Sequence, residues 1–359
     1  MAANPEALFE TVSFTLDGHE ISAREGETIL QAAERHGLGG EIPRLCYTPG
    51  QRPVGNCRSC MVEIEGERAL APSCWRVPRE GMVIRSGSER AVGAQRMVLE
   101  LLQSDMPEQE YARDNELTYW AGRMNLGRPR FVARSQPDAD LSHPAMAVNL
   151  DACIQCTRCV RACREEQVND VIGFAGRGDE AKIVFDLDDP MGESSCVGCG
   201  ECVQACPTGA LMPADGVGLV PEDRKIDSVC PYCGVGCLLQ YNVKDNRILH
   251  VEGRDGPSNH ERLCVKGRFG FDYVNHPNRL TKPLIRREGV PKELRADFDP
   301  ARPGDIFREA SWEEALDVAA RGLQRIRDEK GGQALAGFGS AKGSNEEAYL
   351  FQKLVRTGF

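Results

Sequence analysis

The chain has no run of apolar residues long enough to cross a bilayer, which takes about 20 in succession. Residues 1–14 contain no basic stretch followed by an apolar one and no twin arginine. No export signal is legible there, and a cytoplasmic location is expected. Excess positive charge is also missing: the formal net charge is −10, which argues against nucleic-acid binding. Aromatic residues are only 6% of the 359, although total hydrophobic content, 41%, is ordinary for packed domains. That length gives room for roughly two to four modules. Small modules with thin cores need another source of stability, and bound metal supplies one. A last scarcity is local: between Trp75 and Ala152 there is no cysteine, and His143 is the sole histidine.

Elsewhere cysteine is abundant. The sixteen cysteines divide into four groups of four with none left over. Without a signal for an oxidising compartment this points to metal rather than disulfides. For any single group zinc, which also takes four thiolates, is the alternative to iron. The central stretch, residues 153–207, reads C-x₂-C-x₂-C-x₃-C at Cys153, Cys156, Cys159 and Cys163. The spacing returns at Cys196, Cys199, Cys202 and Cys206, followed by Pro207. Closely spaced thiolates let a loop curl round one iron–sulfur cube, while the fourth, on the departing helix, points to the other cube. Cys153, Cys156, Cys159 and Cys206 are therefore assigned to one [4Fe–4S] cluster, and Cys163, Cys196, Cys199 and Cys202 to a second. The stretch resembles a bacterial two-cluster ferredoxin. Arg164 stands where proline is usual after the first run, so the helix there is expected to continue over 164–168. Arg158, Arg161 and Arg164 have two readings: charges that raise a cluster's potential, or a solvated helix face pairing with Glu165 and Glu166.

Upstream, residues 11–16 alternate, Asp17-Gly18 signals a hairpin, and a second strand follows through Ile21. Thr28 opens a helix with Ile29, Ala32, Ala33 and His36 on its apolar side, closed by Gly37. A hairpin, a helix and a cysteine loop suggest a β-grasp ferredoxin fold. Cys46, Cys57, Cys60 and Cys74 are assigned to a [2Fe–2S] cluster, though the first gap is ten residues instead of the plant-type four. Gly55 is expected to bring backbone N–H groups close to cluster sulfur. The pattern resembles the N-terminal domain of the large iron–sulfur subunit of NADH:quinone oxidoreductase and of related hydrogenase and formate dehydrogenase subunits. Those relatives carry a His-Cys₃ cluster next, and the cysteine-free stretch has no means of holding one. A helix is expected over 88–104, capped by Ser86 with Glu89, its inner stripe being Ala91, Ala94, Val98, Leu101 and Leu102. A polar linker is expected from Ser104 to His143, containing Pro107, Pro129 and Pro137. Two short strands are expected near residues 171–174 and 182–186.

The fourth group is Cys230, Cys233, Cys237 and Cys264, with a hairpin over 238–251 turning at Asp245-Asn246. The segments Cys-Pro-Tyr-Cys-Gly-Val-Gly-Cys at 230–237 and Cys-Val-Lys-Gly-Arg-Phe at 264–269 resemble the opening of the molybdenum or tungsten bis-pterin oxidoreductases, formate dehydrogenase above all. The resemblance implies a third [4Fe–4S] cluster beside a Mo- or W-bis(molybdopterin guanine dinucleotide), with Lys266 between them and Gly267 also at the cofactor. Further on, Ser311 and Glu314 cap a helix with Trp312, Ala315, Leu316, Ala319, Leu323 and Ile326 inside. A strand at 334–336, a glycine-rich loop over 337–344 and a helix begun by Ser344 and Glu347 follow. By resemblance the loop contacts the pterin dinucleotide through Ser340, Lys342 and Asn345; a plain packing loop is the alternative. One strand and its helix cannot make a parallel sheet, so the chain is expected to be the N-terminal part of a longer protein, with the reacting Cys or selenocysteine beyond Phe359 and no catalytic residue before it.

The expected architecture is multi-domain α+β. It comprises a β-grasp [2Fe–2S] domain (8–88), a helix and linker (89–145), a two-[4Fe–4S] ferredoxin-type domain (146–220), a [4Fe–4S] Mo/W bis-MGD-type domain (223–280) and the start of a molybdopterin α/β domain (281–359). The resemblance implies the α subunit of a cytoplasmic NAD-dependent formate dehydrogenase, oxidising formate to CO₂. Its electrons would leave through the clusters to an FMN- and NAD-binding iron–sulfur partner subunit in a hetero-oligomer, since no flavin motif is present here. The alternatives are an electron-transfer subunit of an NADH:quinone oxidoreductase or NAD-linked hydrogenase, and a zinc-stabilised interaction protein.

Overall fold

A computed structural model describes residues 11–106, 115–214, 221–293 and 298–359. The module limits at residues 8 and 220, and the linker's Pro107, lie outside the described residues. Strands β1 (Thr11–Leu16) and β2 (His19–Arg24) pair antiparallel. The turn between them places Asp17 at φ 48° and Gly18 at φ 85°, the left-handed backbone that this dipeptide tolerates. Alternation turns Phe14, Leu16, Ile21 and Ala23 inward. Helix α1 (Ile29–Arg35) starts in a capping box between Thr28 and Gln31 and buries Ile29, Leu30, Ala32 and Ala33. His36, expected on that apolar side, is the exposed C-cap residue. With β3 (Met61–Ile64), β4 (Ala71–Pro72) and β5 (Val83–Arg85) the sheet order is β2-β1-β5-β3-β4, β1 and β5 being parallel, so the β-grasp expectation holds.

Helix α2 (Glu89–Ser104) is capped by Ser88, not by Ser86, whose N and Oγ are taken by the Asp17 carboxylate at 2.7 and 2.5 Å. Its buried face is Ala91, Gln95 and Leu99, and Leu101 is 46% exposed. The apolar pattern misleads because a glutamine faces inward: Gln95 Nε2 donates to Met61 O (2.7 Å) and Ser86 O (3.2 Å), tying the helix to the sheet. The expected linker also holds a helix, α3 (Glu116–Arg123), capped by Asn115. It buries Leu117 and Trp120 against Leu45, Cys46, Leu99, Ile154 and Cys156.

The central module is closed by β6 (Met146–Val148) pairing antiparallel with β9 (Leu211–Pro213). Helix α4 (Arg158–Arg161) continues as a π-helical turn, Ala162–Glu166, so the helix does run on past Cys163 but stops short of Val168. A hairpin of β7 (Ile172–Ala175) and β8 (Lys182–Phe185) follows, then the short helix α5 (Glu201–Ala205). Next, β10 (Arg224–Val229), β11 (Leu238–Lys244) and β12 (Arg247–Gly253) form an antiparallel sheet, turning at Asp245 and Asn246, both at positive φ. Its core is thin: Leu239, Val251 and Leu263 pack against Cys230 and Cys237. Helix α6 (Val265–Phe269) follows Cys264.

Strands β13 (Leu284–Arg286) and β14 (Phe307–Glu309) pair before α7 (Trp312–Lys330), which Ser311 caps through Glu314 N. The apolar stripe of α7 exists but is only partly covered among the described residues: Trp312 is 71% and Leu316 63% exposed. The strand expected at 334–336 is not formed. A 3₁₀ turn, Gly332–Ala334, stands there, since a strand needs a neighbour to satisfy its amides. Helix α8 (Asn345–Lys353) starts in a capping box of Ser344 and Glu347.

Candidate metal centres

The first cysteine group converges from two places: Cys46, Cys57 and Cys60 lie between α1 and β3, and Cys74 follows β4. Hydrogen bonds to Cys57 and Cys74 hold the Cys46 thiol well below the ordinary thiol range. Cys60 is lowered by its own hydrogen bond to Cys74. The partners move the opposite way: Cys57 and Cys74 are pushed up, chiefly by the Cys46 sulfur. The four sulfurs thus lie within hydrogen-bonding reach of one another in one buried spot, and a metal bound there would displace their protons. The N–H of Cys57 and that of Asn56 are directed at Cys46 Sγ, and Cys46 N donates to Cys57 Sγ at 3.4 Å. Gly55 contributes by its φ of 62° against Trp75, immediately before those amides. The amides that reach sulfur therefore belong to its successors.

In the central module chain order and spatial order differ. Burial pushes Cys153 up to about 11, and the nearby Cys206 sulfur adds to it. Burial also raises Cys156 and Cys159, again with Cys206 among the charges they face. A mainly apolar cavity is lined by these four sulfurs together with Leu150, Ile183 and Pro207. Cys196, Cys199 and Cys202 are likewise raised by burial, and the other charge common to all three is Cys163. Cys163 Sγ accepts from Val171 N, and Cys196 Sγ from Gly198 N, both at 3.4 Å. Cys206 thus lines a cavity with the first run, and Cys163 lies within the electrostatic reach of Cys196, Cys199 and Cys202. Cys159 also faces Cys202, so the two sets adjoin. In the fourth group, burial raises Cys237, with Cys230, Cys233 and Cys264 adding to it. Cys233 and Cys264 are exposed, so this set is open on one side.

Each donor set fits the group the sequence implies: four thiols per set, three sets largely enclosed, and a thiol-lined cavity in the first run. Among the described residues no three His, Cys, Asp or Glu donors close to the spacing of a single ion.

The modules meet through arginines. Arg158 and Arg161, read as either potential-raising charges or a solvated face, are 5% and 4% exposed. Arg158 Nη1 donates to Glu116 at 2.8 and 2.9 Å and to Leu45 O at 3.2 Å. Arg161 donates to Arg52 O at 2.7 Å and to Cys46 O. Arg164 alone behaves as a surface charge, paired with Asp170. Glu165 pairs with Arg52, and Glu166 with Arg262 of the fourth group's segment. Arg134 donates to Cys153 O at 2.9 Å and pairs with Asp105. At the far side Arg268 donates to Cys199 O (3.2 Å) and pairs with buried Glu201 at 3.0 Å. Sequence reasoning missed Arg134, Arg268 and Glu201, because an isolated charge pattern says nothing about partners that are distant in the chain.

Gly200 sits under Arg268 at φ 75°, and a Cβ there would lie 2.2 Å from Arg268 Cδ. Gly200→Ala is expected to lower stability by about 2–4 kcal/mol, from left-handed strain plus overpacking. Thermal unfolding of the loaded protein measures this, and an unchanged midpoint would refute the clash.

The expected pterin contacts are scattered on the exposed side. Lys266 is exposed on α6, and Gly267 is buried with a would-be Cβ 3.5 Å from Cys230 Sγ. Lys342 N donates to Ser340 Oγ at 3.1 Å, and Asn345 opens α8. The glycine-rich loop approaches the fourth group: a Cβ on Gly234 would come 3.6 Å from Ala341 O.

A β-grasp module followed by a crossed pair of four-cysteine runs defines a chain of iron–sulfur electron-transfer domains. Residues 10–89 match the 2Fe-2S iron-sulfur cluster binding domain and residues 152–210 the 4Fe-4S dicluster domain. More particularly, residues 223–276 match the molybdopterin oxidoreductase Fe4S4 domain and residues 279–359 molybdopterin oxidoreductase. The chain therefore carries both iron–sulfur and molybdopterin oxidoreductase domains. It is 34% identical to a subunit of the NADH-quinone oxidoreductase of Rhizobium meliloti, over 96% of this chain and 39% of that one. It is 30% identical to a Staphylococcus haemolyticus protein named "Putative formate dehydrogenase", over 98% of this chain and 38% of that one. The NADPH-Fe(3+) oxidoreductase subunit alpha of Geobacter sulfurreducens is 32% identical over 96% and 39%. The chain thus spans under two-fifths of the length of these relatives. Among solved structures, an NAD⁺-reducing [NiFe]-hydrogenase is similar with a TM-score of 0.54 and 29% identity, over 58% of this chain and 90% of that one. No helix among the described residues is long and apolar enough to cross a membrane.

Proposed function

We propose that this chain is the N-terminal, electron-conducting part of the α subunit of an NAD-dependent formate dehydrogenase. Cys46, Cys57, Cys60 and Cys74 would hold a [2Fe–2S] cluster. Cys153, Cys156, Cys159 and Cys206 would hold one [4Fe–4S] cluster, and Cys163, Cys196, Cys199 and Cys202 a second. Cys230, Cys233, Cys237 and Cys264 would hold a third, beside a Mo- or W-bis-MGD approached by Lys266, Gly267, Ser340, Lys342 and Asn345. When bound, the pterin metal supplies the two-electron oxidation of formate to CO₂, with release of one proton, and the clusters supply one-electron carriage. The protein's own part is to fix and insulate. Thr208 Oγ1 donates to Ala152 O and so holds the Cys206 turn against the first run. Gln204 exchanges two hydrogen bonds with Gly253, fixing the central module on the fourth.

The observation that supports this reading is the succession of neighbours: Cys46 and Cys156 belong to one buried cluster, Cys159 lies within the electrostatic reach of Cys202, and Arg268, four residues after Cys264, donates to Cys199 O. With clusters in these sets, a line of centres would lead from the exposed fourth set to the β-grasp domain, where an FMN- and NAD-binding partner subunit would dock.

The relatives favour one second reading, an electron-transfer subunit of an NADH:quinone oxidoreductase or NAD-linked hydrogenase. The full-length protein, purified anaerobically with its partner subunits, decides. Formate is expected to reduce the clusters, seen as iron–sulfur EPR signals. Reduction by NADH but not by formate would transfer the assignment to the second reading. Absence of iron and acid-labile sulfide would leave a zinc-stabilised protein.

A further inference from the structure

Three guanidinium groups, those of buried Arg161 and Arg268 and half-buried Arg134, donate to the backbone carbonyl of a cysteine in the sulfur sets: Arg134 to Cys153, Arg268 to Cys199 and Arg161 to Cys46. Two of them have a carboxylate at ion-pair distance, Asp105 for Arg134 and Glu201 for Arg268. Arg161 has none among the described residues. The acid whose charge reaches it, Glu165 one helical turn on, is itself paired with Arg52. Its Nη atoms reach only carbonyl oxygens, and its buried Nε has no partner. A guanidinium does not lose its proton in a protein, so a full positive charge lies on a residue only 4% exposed with no acid at ion-pair distance among the described residues. Such a charge is costly to bury unless something negative offsets it. The groups whose charges favour the guanidinium are first Cys46 and then Cys156. One belongs to the β-grasp set, the other to the first set of the central module.

We propose that Arg161 is the shared counter-ion of the [2Fe–2S] and the adjoining [4Fe–4S] centre, raising both reduction potentials together and easing the repulsion between two reduced neighbours. The inference rests on the ligand assignments above. Each centre takes up one electron without a bond change or a proton, so each reduction adds one negative charge beside the same guanidinium. Arg158, at the same junction, is neutralised by Glu116 and has no such role.

The test is a dithionite titration of the loaded full-length protein followed by EPR, comparing wild type, Arg161→Gln, Arg161→Lys and the double variant Arg158→Gln/Glu116→Gln. Arg161→Gln is expected to lower the reduction equilibrium of both centres about tenfold or more, which is about 59 mV per decade for one electron. Arg161→Lys, which keeps the charge, is expected to shift them less. The double variant removes hydrogen bonds from the same junction at constant net charge and is expected to leave both potentials in place. Intact signals with unmoved potentials in Arg161→Gln would overturn the proposal, as would an equal shift in the double variant. If Arg161→Gln fails to load its clusters, Arg161→Lys decides. Wild-type signals and potentials there support a charge, and failure there too reduces Arg161 to a strut. Absence of signals in the wild type would instead remove the ligand assignments themselves.

Discussion

Cys206→Ser is expected to strip the cluster of Cys153, Cys156 and Cys159 while leaving that of Cys163, Cys196, Cys199 and Cys202 loaded. Along the chain Cys206 belongs with Cys196, Cys199 and Cys202, so proximity in sequence predicts the opposite loss. In space its sulfur is among the charges facing Cys153, Cys156 and Cys159, and it lines the cavity they bound. Pro207 ends α5 and turns the chain back, and Thr208 fastens that turn to Ala152 O. Iron and sulfide are expected to fall by about four of each per chain. Cys163→Ser is expected to empty the other set to the same extent. Because Cys159, Cys163 and Cys202 form part of the central core with Val160, Ile172 and Leu211, cluster loss should also loosen the packing. Metal analysis with EPR reads the result, and loss of the Cys196 cluster in Cys206→Ser would refute the crossed assignment.

The second large effect is expected at the opposite junction. Arg268 and Glu201 have side chains 3% and 6% exposed and meet at 3.0 Å. Glu201 Oε1 also accepts from Leu263 N at 3.0 Å, and Arg262 lies 3.9 Å from its other oxygen. Arg268→Ala leaves a carboxylate buried with its principal cation removed, and breaking a buried pair in this way costs about 3–5 kcal/mol. Removing both charges with similar bulk, Arg268→Met with Glu201→Leu, is expected to cost less than either single change, because no isolated charge remains. Denaturant unfolding of the loaded protein measures each. A loss below about 1 kcal/mol for Arg268→Ala would mean that water reaches Glu201 and the junction is open.

The legible part of the fold is local or repetitive. Hairpin alternation at residues 11–16, the caps at Thr28, Ser311 and Ser344, and the cysteine spacings all act within a few residues of themselves. The crossed sulfur sets proposed above also rest on a local argument, helix direction. Ser86 misleads because Asp17, sixty-nine residues earlier, competes for it. Leu101 misleads because a glutamine can satisfy its amide inside a core. Helix α3 is illegible because its inward face, Leu117 and Trp120, is defined by a surface built from two other modules. Arg158 and Arg161 carry two readings because burial of a cation depends on carbonyl oxygens more than a hundred residues away. The apolar side of α7 is legible as a stripe, yet among the described residues only part of it is covered, Leu323 and Ile326 being half-buried and Trp312 and Leu316 exposed: periodicity identifies a face without identifying what lies on it.

The junction around Cys46 also bears on how the protein is made. Cys46 has no accessible surface, Cys60 has 1%, and Cys156 and Cys159 have less than a tenth. Under the ligand assignments proposed above, these thiols are reachable for iron and sulfide only before Arg158 and Arg161 close the β-grasp loop onto the central module. Loading is then expected to precede that closure, and the seam that shields the wiring afterwards would also set the schedule of its assembly.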